Sequence, residues 1–184
     1  NYEIYFIGDI SFDEDKATED IFKKIILNKN DNTFLRNFNS QFLIIIRDLN
    51  NNNLEVVNSR FASPSVFYSY DADNFILSNN LYILLKYRDF KKFSLDSYAV
   101  WHFFKFRRVF GSLTLDRNTK FLEAGSKLKF FDFKITIQKY FKPNFKKNKF
   151  TLNENAELLN LNLKDSINTI IKNKKKISLA LSGG

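Results

Sequence analysis

The stretch best suited to chemistry is a mostly apolar run, residues 177–181, followed directly by Ser182, Gly183 and Gly184. A short apolar run bounded by glycines predicts a buried strand that feeds a tight turn. Two glycines after a strand let the backbone approach a ligand closely, and successive N–H groups in such a turn can bind phosphate. The same pattern is also typical of a plain turn, so the order of features upstream decides between the two interpretations.

The remaining candidates for catalysis are few, because the sequence contains no cysteine and one histidine, His102. The lack of cysteine excludes a disulfide scaffold, a thiolate metal site and a cysteine nucleophile within these residues. A single histidine argues against a zinc site and against a Ser-His-Asp triad. No second group lies at a recognisable spacing from His102, so we expect it to have a packing role. We predict no catalytic residue and no metal ligand.

The formal net charge of the chain is +9. Basic residues cluster at 142–149 and 172–176, beside a predicted helix, and the others are scattered among asparagine-rich loops. This distribution indicates solvated surface, so nucleic acid is not expected as a partner. No apolar run approaches the ~20 residues that span a membrane, and no signal-peptide pattern opens the chain. We therefore expect a cytoplasmic protein without a membrane partner.

The whole chain has 184 residues, and its first part predicts a strand over residues 2–10 and a helix over about 12–28. Ser11 and Glu14 have the spacing of a capping box at the start of that helix. The next elements are a strongly apolar strand over 41–47, a polar turn, a returning strand over 54–58, and two further strands; these last two cover residues 65–70 and 74–77.

Two helices are predicted in the middle of the chain. Ser78 and Asn79 can cap a short helix that runs through residue 85. Ser94 is a good N-cap for a helix over 95–106, which we expect to be largely buried because apolar side chains occupy several of its faces.

The last third of the chain predicts three short strands, over residues 119–122, 127–131 and 134–138. A polar, basic linker over 144–150 is the best domain boundary. A capping box formed by Thr151 and Glu154 then opens a helix to about residue 172. The sum is an α+β protein: a strand-rich unit with mostly antiparallel pairing, followed by a helix, a strand and the glycine loop.

Several stretches resemble, in chain order, motifs of the asparagine synthetase family. Residues 60–68 resemble Arg-Phe-Gly-x-x-Pro-Leu-Tyr-Tyr, and residues 140–143 resemble Tyr-Trp-x-Pro. Residues 181–184 match the opening of the Ser-Gly-Gly-x-Asp-Ser pyrophosphate-binding loop, the PP-loop. The other matching stretches are 6–10, 34–42, 47–48, 75–79 and 119–125.

The resemblance implies an N-terminal-nucleophile glutaminase-like sandwich of four layers, αββα, over residues 1–143. A linker over 144–150 and the first helix and strand of an α/β, ATP-binding PP-loop synthetase domain over 151–184 would follow. We expect two facing antiparallel sheets with the 12–28 helix on one outer face and the 79–85 and 95–106 helices on the other side or rim. Strand 41–47 should be central, with Phe42, Ile44 and Ile46 on one face and Leu43 and Ile45 on the other.

The chain departs from the family pattern at the glutamine site. Asn1 stands where the family has its nucleophilic cysteine, and Ile7 stands where an asparagine side chain would stabilise an oxyanion. Gly8 and Asp9 are analogues of the family's glutamine-site residues. About one strand pair of the family pattern is lacking at the N-terminus, so the domain is degenerate or N-terminally trimmed. We predict that this chain releases no ammonia from glutamine.

The resemblance implies the N-terminal portion of an ATP-dependent amide-forming ligase. Ser182, Gly183 and Gly184 would contact the phosphates of ATP, with Mg as a second cofactor, in the full-length protein, and neither is expected on this fragment. The implied partner is the synthetase domain that would follow, and a homodimer is allowed. Two alternatives stay open: a genuine glutamine-hydrolysing asparagine synthetase trimmed at both ends, and a non-catalytic basic binding module.

Overall fold

The structure, a computed structural model, describes residues 1–8, 18–28, 30–37, 41–51, 53–71, 74–89, 92–171 and 176–178, and the side chains of 18–22 and 37 lie outside this description. The chain divides into two compact units, Asn1–Lys142 and Pro143–Gly184. Within the described ranges no helix is both long enough and apolar enough to cross a membrane.

The described residues form eight strands and five helices, and together they confirm the predicted mixed α+β class. The strands are β1 (Tyr2–Gly8), β2 (Phe42–Asp48), β3 (Asn53–Asn58), β4 (Phe67–Tyr70), β5 (Phe75–Ser78), β6 (Thr119–Phe121), β7 (Ser126–Phe131) and β8 (Lys134–Lys139). The helices are α1 (Thr18–Leu27), α2 (Asn32–Asn37), α3 (Leu81–Arg88) and α4 (Ser97–Phe106) in the first unit and α5 (Leu152–Ile171) in the second.

The larger sheet has the strand order β1-β2-β3-β7-β8 in the described part of the chain, and all of its pairs are antiparallel. β2 is an inner strand, paired with β1 and β3, as predicted. Its side chains alternate between two cores because both faces of the sheet are covered. Phe42, Ile44 and Ile46 pack with Ile25 of α1 and Leu35 of α2 on one face.

The other face of this sheet meets a smaller antiparallel sheet with the order β5-β4-β6. Leu43 of β2 and Tyr68 of β4 lie in the core between the two sheets, and Ile45 packs against that core. α3 contacts β4 and β5. Arg88, the last residue of α3, donates to Thr119 Oγ1. Thr119 pairs with Ser69 of β4, and these two residues lie on the face of the small sheet opposite Tyr68. The layers of this unit are therefore, in order, α1 with α2, the large sheet, the small sheet and α3.

Three predictions about α3 and α4 are wrong. The N-cap of α3 is Asn80, whose side chain accepts from the N–H of Ile83, rather than Ser78 or Asn79. The N-cap of α4 is Asp96 rather than Ser94, because the N–H of Ser94 donates to Asp116 Oδ1 and keeps that segment out of the helix.

The third error concerns burial. α4 is not largely buried: Ala99 is its one buried residue, while large aromatic side chains along the helix are exposed. An apolar pattern on several faces of a helix predicts burial only if the fold supplies a cover for each face.

The second unit contains α5, and its predicted capping box is confirmed. The Thr151 N–H donates to Glu154 Oε2 at 2.7 Å, and the Glu154 N–H donates to Thr151 Oγ1 at 3.3 Å. The hydrogen bond from the Thr151 N–H contributes most to lowering the pKa of the Glu154 carboxyl, and a second one, donated by Thr151 Oγ1 to Glu154 Oε2 at 2.8 Å, lowers it further. Residues 176–178 have no regular structure, and the rest of the strand predicted over 177–181 lies outside the described residues. The capping box predicted at Ser11 and Glu14 also lies outside them.

Candidate functional site

The predicted site residues are placed unevenly by the structure. Gly8 is described and ends β1. Its predicted companion Asp9 and the three phosphate-loop residues, Ser182, Gly183 and Gly184, lie outside the described residues. The structure therefore brings none of these predicted residues together, and the site can be built upward from Gly8 alone.

Gly8 occupies a position that only glycine fits. Its φ is +136°, a conformation that L side chains rarely adopt, and it pairs with Phe42 at the start of β2. A Cβ atom added to Gly8 would lie 2.1 Å from the carbonyl oxygen of Gln41. The preceding Ile7 is exposed, and its hydrocarbon side chain has no donor for a developing oxyanion.

Five strand ends meet beside Gly8, because neighbouring strands of the large sheet run antiparallel. Gly8 is opposite Phe42, Asn58 is opposite Leu43, and Ser126 is opposite Lys139. We refer to this edge as the Gly8 end of the large sheet. The segments that leave these strands carry several of the stretches on which the family resemblance rests.

Asn58 is the centre of a buried hydrogen-bond network at the Gly8 end. Its Nδ2 donates to the carbonyl oxygens of Leu122 at 2.8 Å and Glu123 at 2.9 Å, and its Oδ1 accepts from the N–H of Ser126 at 2.9 Å. The Tyr140 hydroxyl donates to the Asn58 carbonyl oxygen at 2.6 Å. The side-chain amide of Asn58 therefore joins the end of β3 to the stretch 122–126, and its backbone carbonyl joins it to Tyr140, just after β8. The polar atoms of the buried amide are satisfied.

Of the described serine hydroxyls at the Gly8 end, those of Ser59 and Ser63 are bound to non-basic partners, whereas the buried Ser126 Oγ has no hydrogen-bond partner among the described residues. Ser59 Oγ donates to the Ser63 carbonyl oxygen at 2.9 Å and accepts from the Ser63 N–H at 3.1 Å. Ser63 Oγ donates to Gln41 Oε1 at 2.9 Å, and the Ser63–Pro64 peptide is cis. A nucleophilic hydroxyl needs an adjacent general base, and neither hydroxyl is hydrogen-bonded to one. These serines hold the loop 59–64 to the start of β2.

Two arginine side chains contact the segment 140–141 at the same end. The Arg60 guanidinium lies 5.7 Å from the centre of the Phe141 ring, and Arg36 Nε donates to the Tyr140 carbonyl oxygen at 2.6 Å. Burial raises the pKa of the Tyr140 phenol well above its usual range, although the positive charge of Arg60 acts in the opposite direction. The phenol therefore stays protonated and remains a hydrogen-bond donor to Asn58.

His102 and the metal-ligating residue types give no second site. His102 lies in α4 among the rings of Tyr98, Trp101, Phe106 and Phe110, an environment that agrees with the predicted packing role. In the part of the chain that the structure describes, no group of three or more His, Cys, Asp or Glu side chains is placed to hold a metal ion.

Sequence reasoning missed Asn58 and Tyr140 as the residues that organise the Gly8 end. Their partners lie 64 to 82 residues away in the chain, a separation that local patterns do not reveal. One signal was available, since an asparagine at the end of an apolar strand is uncommon and calls for a specific hydrogen-bonding role. No protein-family model matches the sequence, and no curated protein is significantly similar to it.

Proposed function

We propose that this chain is the N-terminal portion of an asparagine synthetase-like, ATP-dependent amide-forming ligase whose glutaminase-like domain does not hydrolyse glutamine. The observation that carries the proposal is the meeting of separate resembling stretches at the Gly8 end. Residues 6–8, 60–64, 122–125 and 140–141 are far apart in sequence, yet hydrogen bonds and ring contacts join three of them around Asn58 and Phe141. The fourth supplies Gly8 itself.

The layer order adds support. α1 and α2 cover one face of the large sheet, the small sheet covers the other, and α3 contacts the small sheet from its far side. This order agrees with the αββα sandwich of N-terminal-nucleophile glutaminases. Because one fold can host many functions, the layer order supports the proposal only together with the residues of the Gly8 end.

The proposed loss of glutamine hydrolysis rests on chemistry that the residues lack. The sequence has no cysteine, and the hydroxyls of Ser59 and Ser63 are hydrogen-bonded to a carbonyl and an amide oxygen. Ile7 stands where a side-chain donor would stabilise the tetrahedral intermediate. The amine would therefore come from free ammonia or from the substrate itself.

In this proposal the second unit opens the synthetase domain. Ser182, Gly183 and Gly184 would bind phosphate through backbone N–H groups and the serine hydroxyl, with ATP and Mg as cofactors of the full-length protein. ATP would activate a carboxylate by adenylation with release of pyrophosphate. Attack of an amine on the acyl adenylate would then form the amide and release AMP.

Glutamate production tests the proposed loss of the glutaminase. We expect the purified 184-residue chain to form no glutamate from glutamine above a protein-free background, because the sequence has no cysteine and the Ile7 side chain offers no oxyanion donor. In the full-length protein we expect ammonium, but not glutamine, to support amide formation with ATP and Mg. Glutamate formed by the 184-residue chain would contradict the proposal.

A third result distinguishes the alternative enzyme. If the full-length protein hydrolyses glutamine while the 184-residue chain does not, a nucleophile outside these residues supplies the activity. That result would favour a glutamine-hydrolysing asparagine synthetase, and reading the complete open reading frame for a cysteine at its start would verify it.

A further inference from the structure

α4 presents apolar rings to solvent along most of its length. The exposed fractions are 60% for Tyr98, 47% for Trp101 and 74% for Phe104, whereas Ala99 on the inner side is fully buried. A helix that is apolar on several faces is ordinarily covered, and exposed aromatic clusters mark binding surfaces. This helix therefore presents a surface that a ligand or partner would cover.

Cations and rings are interleaved on this helix and on the turn that follows it. Tyr98 and Trp101 are stacked, with ring centres 5.8 Å apart and planes inclined by 11°. Lys105 Nζ lies 4.7 Å from the centre of the Trp101 ring, and the Arg108 guanidinium lies 4.9 Å from that of Phe110. We define the α4 surface as Tyr98, Trp101, Phe104, Lys105, Arg107 and Arg108.

The charge of the α4 surface is positive. None of the ion pairs found among the described residues involves Lys105, Arg107 or Arg108. Two carboxylates in the segments before and after α4 have other partners: Asp96 caps the N-terminus of α4 by accepting from two backbone N–H groups, and Asp116 binds Arg88. Like charges oppose pairing of this surface with its own copy, so the complementary partner is an anion.

We propose that the α4 surface binds single-stranded nucleic acid. Such sites combine cations that neutralise backbone phosphates with aromatic side chains on which unpaired bases stack. Phe104 and Tyr98 are the most exposed rings of the α4 surface; Lys105 follows Phe104 directly, and Arg107 and Arg108 follow at the end of the helix. This proposal does not depend on the ligase activity proposed above.

The geometry favours nucleic acid over an anionic lipid surface. Lys105 Nζ lies over the rings of Trp101 and Phe106, so charge and ring stand at the same depth. Inserting these rings into hydrocarbon would carry the ammonium group with them, at a high desolvation cost. A nucleic acid strand presents its phosphates and bases side by side, which matches the interleaving.

The charge distribution along the sequence had argued against a nucleic-acid partner, because the lysines are scattered among loops. In the segment 97–110, however, three cations share one helix end with several exposed rings. Local clustering on a folded surface, rather than total charge, is the footprint of nucleic-acid recognition.

Binding of a fluorescently labelled oligothymidylate of about 15 nucleotides tests the proposal by anisotropy. Three phosphate contacts predict a slope of about −2 for log K against log salt, or roughly 20-fold weaker binding at about 200 mM than at about 50 mM salt. A duplex of the same length should bind more weakly, since paired bases cannot stack on the exposed rings.

Variants separate stacking from charge. Phe104→Ala should weaken binding roughly tenfold through loss of one stacked base, whereas Phe131→Ala, which removes a comparably exposed ring in β7, should leave it unchanged. Lys105→Gln combined with Arg108→Gln should reduce the salt slope to about −0.7. Lys134→Gln combined with Lys146→Gln removes equal charge elsewhere and should preserve binding. Circular dichroism confirms that each variant folds.

Three results would overturn the proposal. The first is no binding of the oligonucleotide at about 50 mM salt, where the electrostatic contribution is strong. The second is equal weakening by the control variants, which would indicate diffuse attraction to a positive protein. The third is binding to vesicles of phosphatidylserine and phosphatidylcholine without binding to the oligonucleotide, which would assign the α4 surface to lipid.

Discussion

The Gly8 end of the large sheet and the α4 surface differ in how their polar and apolar groups find partners. At the Gly8 end, Asn58 and Tyr140 are buried and hydrogen-bonded to neighbouring segments of the same unit. On the α4 surface, rings and cations contact one another, yet Tyr98 and Phe104 remain mostly exposed. Asn58 and Tyr140 therefore bind within the unit, whereas the rings of the α4 surface remain accessible to a partner.

This difference indicates where the unit can still interact. At the Gly8 end, the hydroxyls of Ser59 and Ser63 are hydrogen-bonded within the unit, and Gly8 lies so close to the Gln41 carbonyl oxygen that no side chain fits there. A helix that the sequence predicted as core has instead become surface. The recognition proposed for the α4 surface does not depend on the chemistry proposed for the Gly8 end, because the two regions use different residues.

The largest expected effect comes from Asp116, which anchors the segment leading into α4. Asp116 Oδ2 accepts from Arg88 Nη1 at 2.5 Å and from Thr119 Oγ1 at 2.6 Å, and Oδ1 accepts from the Ser94 N–H. Asp116→Ala leaves the Arg88 charge buried and unpaired, so we expect a loss of about 3–5 kcal/mol in the free energy of unfolding, measured with urea. Glu123→Ala removes only the exposed pair with Lys139 and should cost less than about 1 kcal/mol.

The same carboxylate makes stability depend on pH. Burial by itself would raise the pKa of Asp116, but hydrogen bonds from Arg88, Thr119 and the Ser94 backbone together lower it. Since the folded pKa lies below the unfolded value of about 3.9, this stabilisation is present above pH ~4 and is lost as pH falls through the folded pKa. Asp116→Ala should remove that part of the acid sensitivity. Equal stability of Asp116→Ala and Glu123→Ala at neutral pH would contradict the anchoring role.

Gly8→Ala should have a smaller effect, which tests the Gly8 end of the large sheet. The new methyl group would overlap the Gln41 carbonyl oxygen at a φ that disfavours side chains, so we expect a loss of about 2–3 kcal/mol in unfolding free energy. Gly111→Ala is the matched control, since Gly111 also has a positive φ, +68°, but nothing within 4 Å of the added atom. It should cost about 1 kcal/mol. Equal costs for the two variants would show that Gly8 is not closely packed.

The parts of the fold that could be predicted are those that depend on local pattern. The β2 strand was predicted with the correct faces because its apolar residues alternate between two covered sides. The α5 cap was predicted because Thr151 and Glu154 interact within one turn. Both signals lie within a few residues of the structure they determine.

The parts that could not be predicted depend on distant partners. Ser94 and Asp96 are both good cap residues, and the choice between them follows from Asp116, which is 22 residues from Ser94 and holds its N–H. The exposure of α4 could not be read from its aromatic residues, because periodicity shows which faces are apolar and not whether the fold covers them. At the candidate site, Gly8 was predicted from a family resemblance. The hydrogen-bond network of Asn58 could not be predicted, because its partners meet only in the assembled sheet.

The central proposal is that the full-length protein is an amide-forming ligase with a PP-loop at Ser182-Gly183-Gly184. ATP–pyrophosphate exchange by that protein is the most direct test. With amino-acid carboxylates as acceptors, aspartate first among them, we predict exchange that Gly183→Leu abolishes, because a bulky side chain keeps the backbone N–H groups from the phosphates. The control Gly111→Leu should retain exchange, and the circular dichroism of Gly183→Leu should match that of the unsubstituted protein. Exchange that survives Gly183→Leu, or no exchange by the unsubstituted protein with any of the carboxylates, would contradict the claim.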